Sequence, residues 1–273
     1  MIDIKPFYKS LPNTVFISGG MSGIGAELAK SFMAAGSNLA IFDLQENAVV
    51  LAELKNLSTG NQVQVYQLDI CHPDQVEQAV NKAVADIGRP ALALNSAGIL
   101  RTAPFKALPY DTFKQVVDIN LMGSRNFAAS VTAHMQQGDH LALVASLAGI
   151  TVTYTHAAYS ASKFAVVGLA EVLRLELKLE GIDVSVICPG EIATPLLEHE
   201  RKHGSAVTAR VNSVVGVLSV EQACRGILKG LSNRTFMITP GFNAIFMREF
   251  ARKGSGLCRK VTDILLAREL KRS

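Results

Sequence analysis

Two residues with complementary acid–base chemistry, Tyr159 and Lys163, lie four positions apart. In an α-helix this spacing places both side chains on one face. A free phenol titrates near ~10 and is a poor base at neutral pH. An ammonium group within about 4–6 Å lowers that pKa by about 1–3, so such a pair could exchange a proton with an alcohol. The spacing alone is a weak signal, because amphipathic helices produce it by chance.

A glycine-rich segment, 18–25, has the sequence SGGMSGIG and stands between a predicted strand and a predicted helix. Glycines there let the backbone turn tightly and approach a pyrophosphate, and the free amides of the helix N-terminus then face the anion. The spacing is GxxxGxG rather than the strict GxGxxG. Taken alone, the segment fits a phosphate loop and a turn without a ligand equally well.

An acidic residue, Asp43, ends the second predicted strand. A carboxylate at this place can accept hydrogen bonds from the adenosine ribose, and it repels the 2′-phosphate of NADP. Neither Leu44 nor Ser22 is basic, so no phosphate clamp is visible. The pattern favours NAD, with NADP less favoured. The alternative role for Asp43 is a helix N-cap.

Short apolar runs alternate with longer segments of helical periodicity. The predicted strands are 13–18, 38–43, 62–68, 91–95, 140–146, 183–188 and 235–238. The predicted helices are 24–35, 46–57, 73–87, 110–137, 157–180 and 220–231. This alternation predicts an α/β fold: a single-domain, Rossmann-type, doubly wound parallel sheet of about seven strands, with helices on both faces.

Together, the glycine loop and the Tyr–Lys pair resemble the classical short-chain dehydrogenase/reductase family, over about residues 11–240. Further motifs of that family occur in order. The family's NNAG appears as 95–98 and its PGxxxT as 189–194, while Asn120 and Ser146 match its catalytic asparagine and serine. Two mild departures are Ser18 in place of threonine and Ser96 in place of asparagine.

The resemblance implies a role for each member of a catalytic set. Tyr159 is the general acid/base, and Lys163 lowers its pKa and binds the nicotinamide ribose. Ser146 hydrogen-bonds the substrate oxygen, and Asn120 holds a water in a proton relay through Lys163. A hydride passes between the nicotinamide and a carbinol or carbonyl carbon.

The same resemblance implies a set of cofactor-binding residues, in which Asp69 contacts the adenine. The set is Ser18, Gly19, Ser22, Gly23, Ile24, Gly25, Asp43, Leu44, Asp69, Ile70, Asn95, Ala97, Gly98, Tyr159, Lys163, Pro189, Gly190, Ile192 and Thr194.

Composition excludes several classes of protein. The chain has 273 residues, 49% hydrophobic and 18% charged, which excludes extensive disorder. Its apolar runs fall short of the roughly 18 residues that a membrane span needs. The first residues include Asp3, Lys5 and Pro6 where a signal peptide would be apolar, so we expect no secretion signal. The four cysteines and six histidines show no metal-ligand spacing, so we expect neither a metal site nor a disulfide framework. Because disulfides are rare in a reducing compartment, we expect a cytoplasmic location. A net charge of +4 gives no reason to expect a nucleic-acid partner.

The C-terminal residues are a separate question. We expect a dinucleotide-binding oxidoreductase domain at 1–240, with a substrate lid at about 195–218, and a basic amphipathic extension at 241–273. Residues 242–273 carry a net charge of +5 and two apolar stripes separated by glycines. The stripes could pack on the domain or on a neighbouring subunit, or 242–270 could rest on an anionic membrane surface.

The sequence therefore predicts an NAD-dependent oxidoreductase that interconverts a hydrophobic secondary alcohol and its ketone, steroid-like, lipid-like or long-chain. The resemblance implies a homodimer or homotetramer formed through the helices at 110–137 and 157–180. One alternative is a 3-oxoacyl-thioester reductase, against whose usual NADP preference Asp43 argues. The other is a non-catalytic NAD(H)-binding sensor or scaffold, which loss of Tyr159, Lys163 or Ser146 would have indicated.

Overall fold

A parallel sheet of seven strands forms the centre of the computed structural model, which describes residues 2–212 and 216–271. Its strands are β1 (Thr14–Ser18), β2 (Asn38–Asp43), β3 (Val63–Gln67), β4 (Leu92–Asn95), β5 (His140–Val144), β6 (Asp183–Ile187) and β9 (Met237–Ile238). Their order is β3-β2-β1-β4-β5-β6-β9. The predicted doubly wound sheet is confirmed. A second sheet, β7 (Glu191–Ile192) with β8 (Val217–Leu218), was not predicted, because two-residue strands carry no periodic signal.

Eleven α-helices connect and cover these strands in the described part of the chain. They are α1 (Gly23–Ala35), α2 (Ala48–Leu57), α3 (Pro73–Ile87), α4 (Tyr110–Val117), α5 (Gly123–Thr132), α6 (Ala157–Leu177), α7 (Pro195–His203), α8 (Ala206–Asn212), α9 (Val220–Ser232), α10 (Phe242–Lys253) and α11 (Ser255–Leu270).

The helix predicted at 110–137 is wrong in two respects. A π-helical turn, Asp118–Met122, separates α4 from α5. The helix also ends at Thr132, because the chain turns toward β5 at Gly138, whose φ of +91° favours glycine. The π turn widens the hydrogen-bonding register by one residue, and such turns are frequent at functional sites.

Alternating side chains of the strands feed two apolar layers, one on each face of the sheet. Phe16 and Phe42 lie on the face covered by α3, α5 and α6, where the Phe42 ring meets Phe127 edge-on at 5.6 Å between centroids. Ile17 lies on the opposite face with Phe32 of α1, under the helices α1, α2 and α9. Both faces are covered, as buried parallel strands require.

The chain reverses direction across the sheet between β1 and β4. From β1 it winds outward to β2 and β3, and from β4 it winds the other way to β5, β6 and β9. Ser18 and Asn95, the last residues of β1 and β4, are paired in register. A crevice at the carboxyl ends of the strands is expected at such a switch point, and ligands bind there in open α/β sheets.

The C-terminal segment forms the last two helices, α10 and α11, which meet at Gly254. Within residues 2–212 and 216–271, no helix is both long and apolar enough to cross a bilayer. The same residues contain no cluster of side chains suited to a metal ion. The predicted lid at 195–218 comprises α7, α8 and β8, although its residues 213–215 lie outside the described part of the chain.

Candidate active site

The loop between β1 and α1 can be built only with glycine at two positions. Gly19 has a φ of +69°, and a Cβ there would lie 2.6 Å from the backbone nitrogen of Ala97. A Cβ on Gly25 would lie 2.1 Å from the carbonyl oxygen of Gly19. The loop is therefore pressed against the segment after β4, with the N-terminus of α1 opening at Gly23.

The Asp43 carboxylate is tied to that loop. Its Oδ2 accepts a hydrogen bond from the backbone N–H of Met21 at 3.0 Å. The N-cap of α2 is Asn47, whose side chain accepts from the amides of Val49 and Val50. The alternative role of Asp43 as a helix cap is therefore excluded. Leu44, which follows it, is 59% exposed at the edge of the crevice.

Asp69 follows β3 on the same side of the sheet. Its Oδ1 accepts a hydrogen bond from the Cys71 amide at 2.9 Å, which shapes the turn into α3. Ile70 is buried beside it and meets α5: a Cβ on Gly123 would lie 2.6 Å from its Cγ2. This region borders the crevice at the end remote from Tyr159 along the sheet order.

Two buried asparagines, Asn95 and Asn120, lie behind the segment that follows β4. The Nδ2 of Asn95 donates to the Ser124 hydroxyl at 2.7 Å, while its Oδ1 has no partner among the described residues. Asn120, in the π turn, accepts from the Ile99 amide at 2.8 Å and donates to the Ile99 carbonyl at 3.0 Å. Its side chain thus clamps the backbone at 99. Gly98 lies between Asn120 and Lys163, since a Cβ there would be 3.1 Å from Asn120 Oδ1 and 3.4 Å from Lys163 Nζ.

Ser146, Tyr159 and Lys163 meet where β5 ends and α6 begins. Ser146 and Tyr159 line the same cavity, and the Ser146 Oγ accepts from the Ala148 amide at 3.1 Å. The Lys163 ammonium donates to the Val144 carbonyl at 2.9 Å and lies 5.7 Å from the centre of the Tyr159 ring. The spacing of four residues does place the two side chains on one face of α6.

The acid–base properties of this pair are dominated by burial. Burial raises the pKa of the Tyr159 phenol to about 12, against a lowering by the Ser146 hydrogen bond, and the charge of Glu200 raises it further. Burial also lowers the pKa of the Lys163 ammonium to about 8. The expected lowering of the Tyr159 pKa by Lys163 is therefore not found in this structure, and burial raises that pKa instead, because removal from water disfavours the phenolate.

A second polar pair was missed by the sequence reasoning. His156 Nε2 and Glu200 Oε1 are 2.7 Å apart, and both side chains are largely buried. The His156 ring packs edge-on against Tyr159 at 5.8 Å between centroids. The pair ties helix α7 to the start of α6. Its members are 44 positions apart in the chain, so no local spacing could have revealed it.

The PGxxxT segment lies opposite the glycine loop. The Pro189 carbonyl accepts from the Leu147 amide at 2.7 Å, which fixes the segment beside Ser146. Thr194 approaches the loop: a Cβ on Gly23 would lie 3.4 Å from its methyl carbon. The segment thus connects the loop region with the Tyr159 region.

One cavity of about 900 Å³ extends from the glycine loop to the Tyr159 region. Most of the predicted site residues line it. They are Ser18, Gly19, Ser22, Gly23, Ile24, Asp43, Leu44, Asp69, Ile70, Ala97, Gly98, Ser146, Tyr159, Lys163, Pro189, Gly190, Ile192 and Thr194. Gly25, Asn95 and Asn120 are not in the lining and act on it from behind, through the packing and hydrogen bonds described above.

The cavity also has walls outside the predicted catalytic and cofactor-binding residues. Leu196 and Leu197 line it from lid helix α7. Phe250 of α10 and Leu265 of α11 line it from the C-terminal segment. The apolar stripes of 242–270 were visible in the sequence, but periodicity alone cannot say which surface a stripe covers.

Known proteins share this architecture. A short chain dehydrogenase family model matches residues 13–205. The chain is 30% identical to 3-dehydrosphinganine reductase TSC10B of Arabidopsis thaliana, over 84% of this chain and 70% of that protein. It is 28% identical to D-beta-hydroxybutyrate dehydrogenase of Cupriavidus necator, over 89% of this chain and 93% of that protein.

A solved structure shows the same fold. It is a 3-oxoacyl-[acyl-carrier protein] reductase of Brucella melitensis in complex with NAD, with a TM-score of 0.74 and 21% identity, covering 87% of this chain and 99% of that one. The family match spans most of the chain and includes the glycine loop, Ser146, Tyr159 and Lys163. The predicted resemblance is confirmed, and the chain belongs to the short chain dehydrogenase family of oxidoreductases.

Proposed function

We propose that the protein is an NAD-dependent oxidoreductase that interconverts a hydrophobic secondary alcohol and its ketone, with Tyr159 as the general acid/base. The observation that carries the proposal is the meeting of Ser146, Tyr159 and Lys163 at one cavity that continues to the glycine loop and Asp43. An acid–base group, a partner for the substrate oxygen and a dinucleotide loop are thereby joined.

The residues along the crevice fit a nicotinamide dinucleotide. Glycine at 19 lets the loop pack against the backbone of Ala97, and the N-terminus of α1 offers amides to a pyrophosphate. The Met21 amide holds one oxygen of Asp43, which leaves a carboxylate oxygen to accept from ribose hydroxyls. When bound, the cofactor supplies the hydride acceptor for oxidation and the hydride donor for reduction.

The chain's own side chains handle the proton. In oxidation, the phenolate oxygen of Tyr159 takes the hydroxyl proton of the alcohol as its C–H bond breaks, and in reduction the phenol returns a proton to the ketone oxygen. The Ser146 hydroxyl holds the same substrate oxygen. The Lys163 ammonium stabilises the phenolate, and Asn120 positions the backbone next to it through Ile99.

The substrate end of the cavity favours neutral, apolar molecules. Leu147, Val152 and Leu196 line it. Glu200 stands close enough to Tyr159 for its charge to raise the phenol pKa. A carboxylate on the substrate would be repelled by Glu200, which supports an uncharged alcohol or ketone.

We also propose that the chain forms a homodimer or homotetramer through α4, α5 and α6. Exposed apolar side chains on these helices support an interface, among them Tyr110 at 78%, Val172 at 50% and Leu175 at 59% exposure. Light scattering on the purified chain tests this, and a monomer at micromolar concentration would contradict it.

A substrate screen tests the reaction. Secondary alcohols with NAD⁺, and ketones with NADH, are followed by the absorbance of NADH, and calorimetry compares NADH with NADPH. We expect turnover of apolar substrates and tighter binding of NADH. Tighter binding of NADPH would overturn the role of Asp43 and favour a 3-oxoacyl-thioester reductase. Binding of NADH without turnover of any substrate would favour a sensor or scaffold.

A further inference from the structure

We propose that α10 and α11 form the outer wall of the substrate cavity and select elongated apolar substrates over short ones. This inference rests on the proposed function for the identity of the substrate's reacting group. It goes further in giving the C-terminal segment a binding role on its own chain and in naming the substrate property that the segment reads.

The first support is the position of the two helices. The cavity that contains Tyr159 is also lined by Phe246 and Phe250 of α10 and by Val261 and Leu265 of α11. The Phe246 and Phe250 rings lie nearly parallel, 7° apart in plane and 6.2 Å between centroids. A largely apolar surface made of both helices, with Arg259 of α11 as its one charged member in the lining, therefore faces the same space as the acid–base pair.

The second support is that the wall is anchored at both ends. In α10, Arg248 donates to the Met237 carbonyl at 3.3 Å and to the Thr239 hydroxyl at 3.2 Å, which joins the helix to the edge strand β9. In α11, Glu269 accepts from Arg210 of α8 at 2.8 Å. The segment is thus held by the sheet on one side and by the lid on the other.

The third support is the chemistry of the lining between these ends. Leu196 and Leu197 of α7 continue the apolar surface from the Tyr159 region toward α11, and Cys258 is buried against the cavity. A ligand gains about fourfold in affinity for each methylene that it buries in such surroundings. Molecules long enough to reach α10 and α11 gain this contact, whereas short ones remain at the Tyr159 end.

The test uses two neighbouring positions of α11. Leu265 is half-buried and lines the cavity, while Ile264 is 68% exposed and does not. The chain has no tryptophan, so Leu265→Trp and Ile264→Trp each introduce a single indole with its own fluorescence. The probes are 2-butanone and 2-decanone, added to the full chain and followed by indole emission and by calorimetry.

For Leu265→Trp we expect blue-shifted emission that responds to 2-decanone but not to 2-butanone. We also expect its calorimetric affinity for 2-decanone to fall by about tenfold or more, because the larger side chain fills the space. Ile264→Trp should emit as an indole in water and bind both ketones as the unmodified chain does. Leu265→Ala removes the contact without filling the space, so it should weaken the binding of 2-decanone and leave the binding of 2-butanone unchanged. This variant keeps the test valid if Leu265→Trp does not fold.

Equal emission and equal 2-decanone affinity in the Leu265 and Ile264 variants would overturn the inference, even for a chain that turns over alcohols. A 2-decanone response at position 265 in a chain without any turnover would instead support the wall and contradict the proposed reaction. The two failures are therefore distinguishable.

Discussion

The glycine loop and the wall of α10 and α11 bound the same cavity but are built in different ways. At the loop, backbone atoms set the shape, and Gly19 and Gly25 admit no side chain. At the wall, side chains such as Phe250 and Leu265 set the shape. The difference teaches that one end can fix the identity of a ligand while the other adapts to its length.

The largest effect is expected from Tyr159→Phe, which removes the proton-transferring oxygen at the junction of the two ends. We expect turnover of every substrate, short or long, to fall by about 10²–10⁴-fold. NADH affinity, measured by calorimetry, should fall far less than turnover, because the glycine loop and Asp43 are untouched. Undiminished turnover would refute the proposed mechanism. A loss of turnover confined to long substrates would show that Tyr159 acts on substrate length, which we assign to the wall of α10 and α11.

The next largest effect is expected at the loop end, from the double variant Asp43→Ser with Leu44→Arg. It removes the carboxylate that repels a 2′-phosphate and adds a guanidinium that can bind one. We expect the NADPH to NADH affinity ratio to rise by about 10–100-fold for all substrates alike. Leu44→Arg alone, which keeps Asp43, is the control and should shift the ratio less. An unchanged ratio in the double variant would show that Asp43 does not set the preference.

The dependence on pH sharpens the comparison at the acid–base group itself. Burial raises the pKa of Tyr159 to about 12, so the phenol predominates at neutral pH and the phenolate becomes more abundant as pH rises. With saturating NAD⁺, kcat/KM for alcohol oxidation should rise by about tenfold per pH unit below the phenol pKa. Ketone reduction, which needs the phenol, should stay flat over the same range. Identical profiles in the two directions would contradict the assignment.

The smallest effect concerns the outer face of the wall. Leu257 and Ile264 are 58% and 68% exposed there, and cationic residues of α11 such as Lys260 surround them. For vesicles containing phosphatidylserine we expect sedimentation about fivefold above that with phosphatidylcholine alone, suppressed by salt. The double variant Leu257→Glu with Ile264→Glu should lose the difference. If both chains sediment equally, the membrane hypothesis is wrong and the segment acts only on the cavity.

The loop end could be predicted from sequence because its signals are local. The glycine spacing of 18–25, the strand before it and the acid at 43 are contiguous or nearly so, and backbone geometry makes them specific. The same holds for Tyr159 and Lys163, whose spacing is one helical turn. The doubly wound parallel sheet followed from the alternation of strands and helices.

The wall end could not be predicted in the same way. The sequence identified the stripe that includes Phe246 and Phe250, but the stripe is equally compatible with a core, a partner or a lipid surface. The contact between His156 and Glu200 depends on how the lid folds back, which no periodicity encodes. The π turn at Asp118–Met122 escaped for a different reason: one residue too many in a turn hardly alters an apolar pattern.

The buried thiol of Cys258 offers a way to measure how often α11 separates from the rest of the protein. Burial raises the pKa values of Cys71 and Cys188 to about 12 and that of Cys224 above its usual range, so these thiols carry almost no reactive thiolate at neutral pH. Cys258 is buried on the cavity side of α11, so we expect a thiol reagent to reach it faster when that helix moves away from α8. Its modification rate therefore reports the opening frequency of the segment, and hence how often the cavity can exchange its contents with the solution.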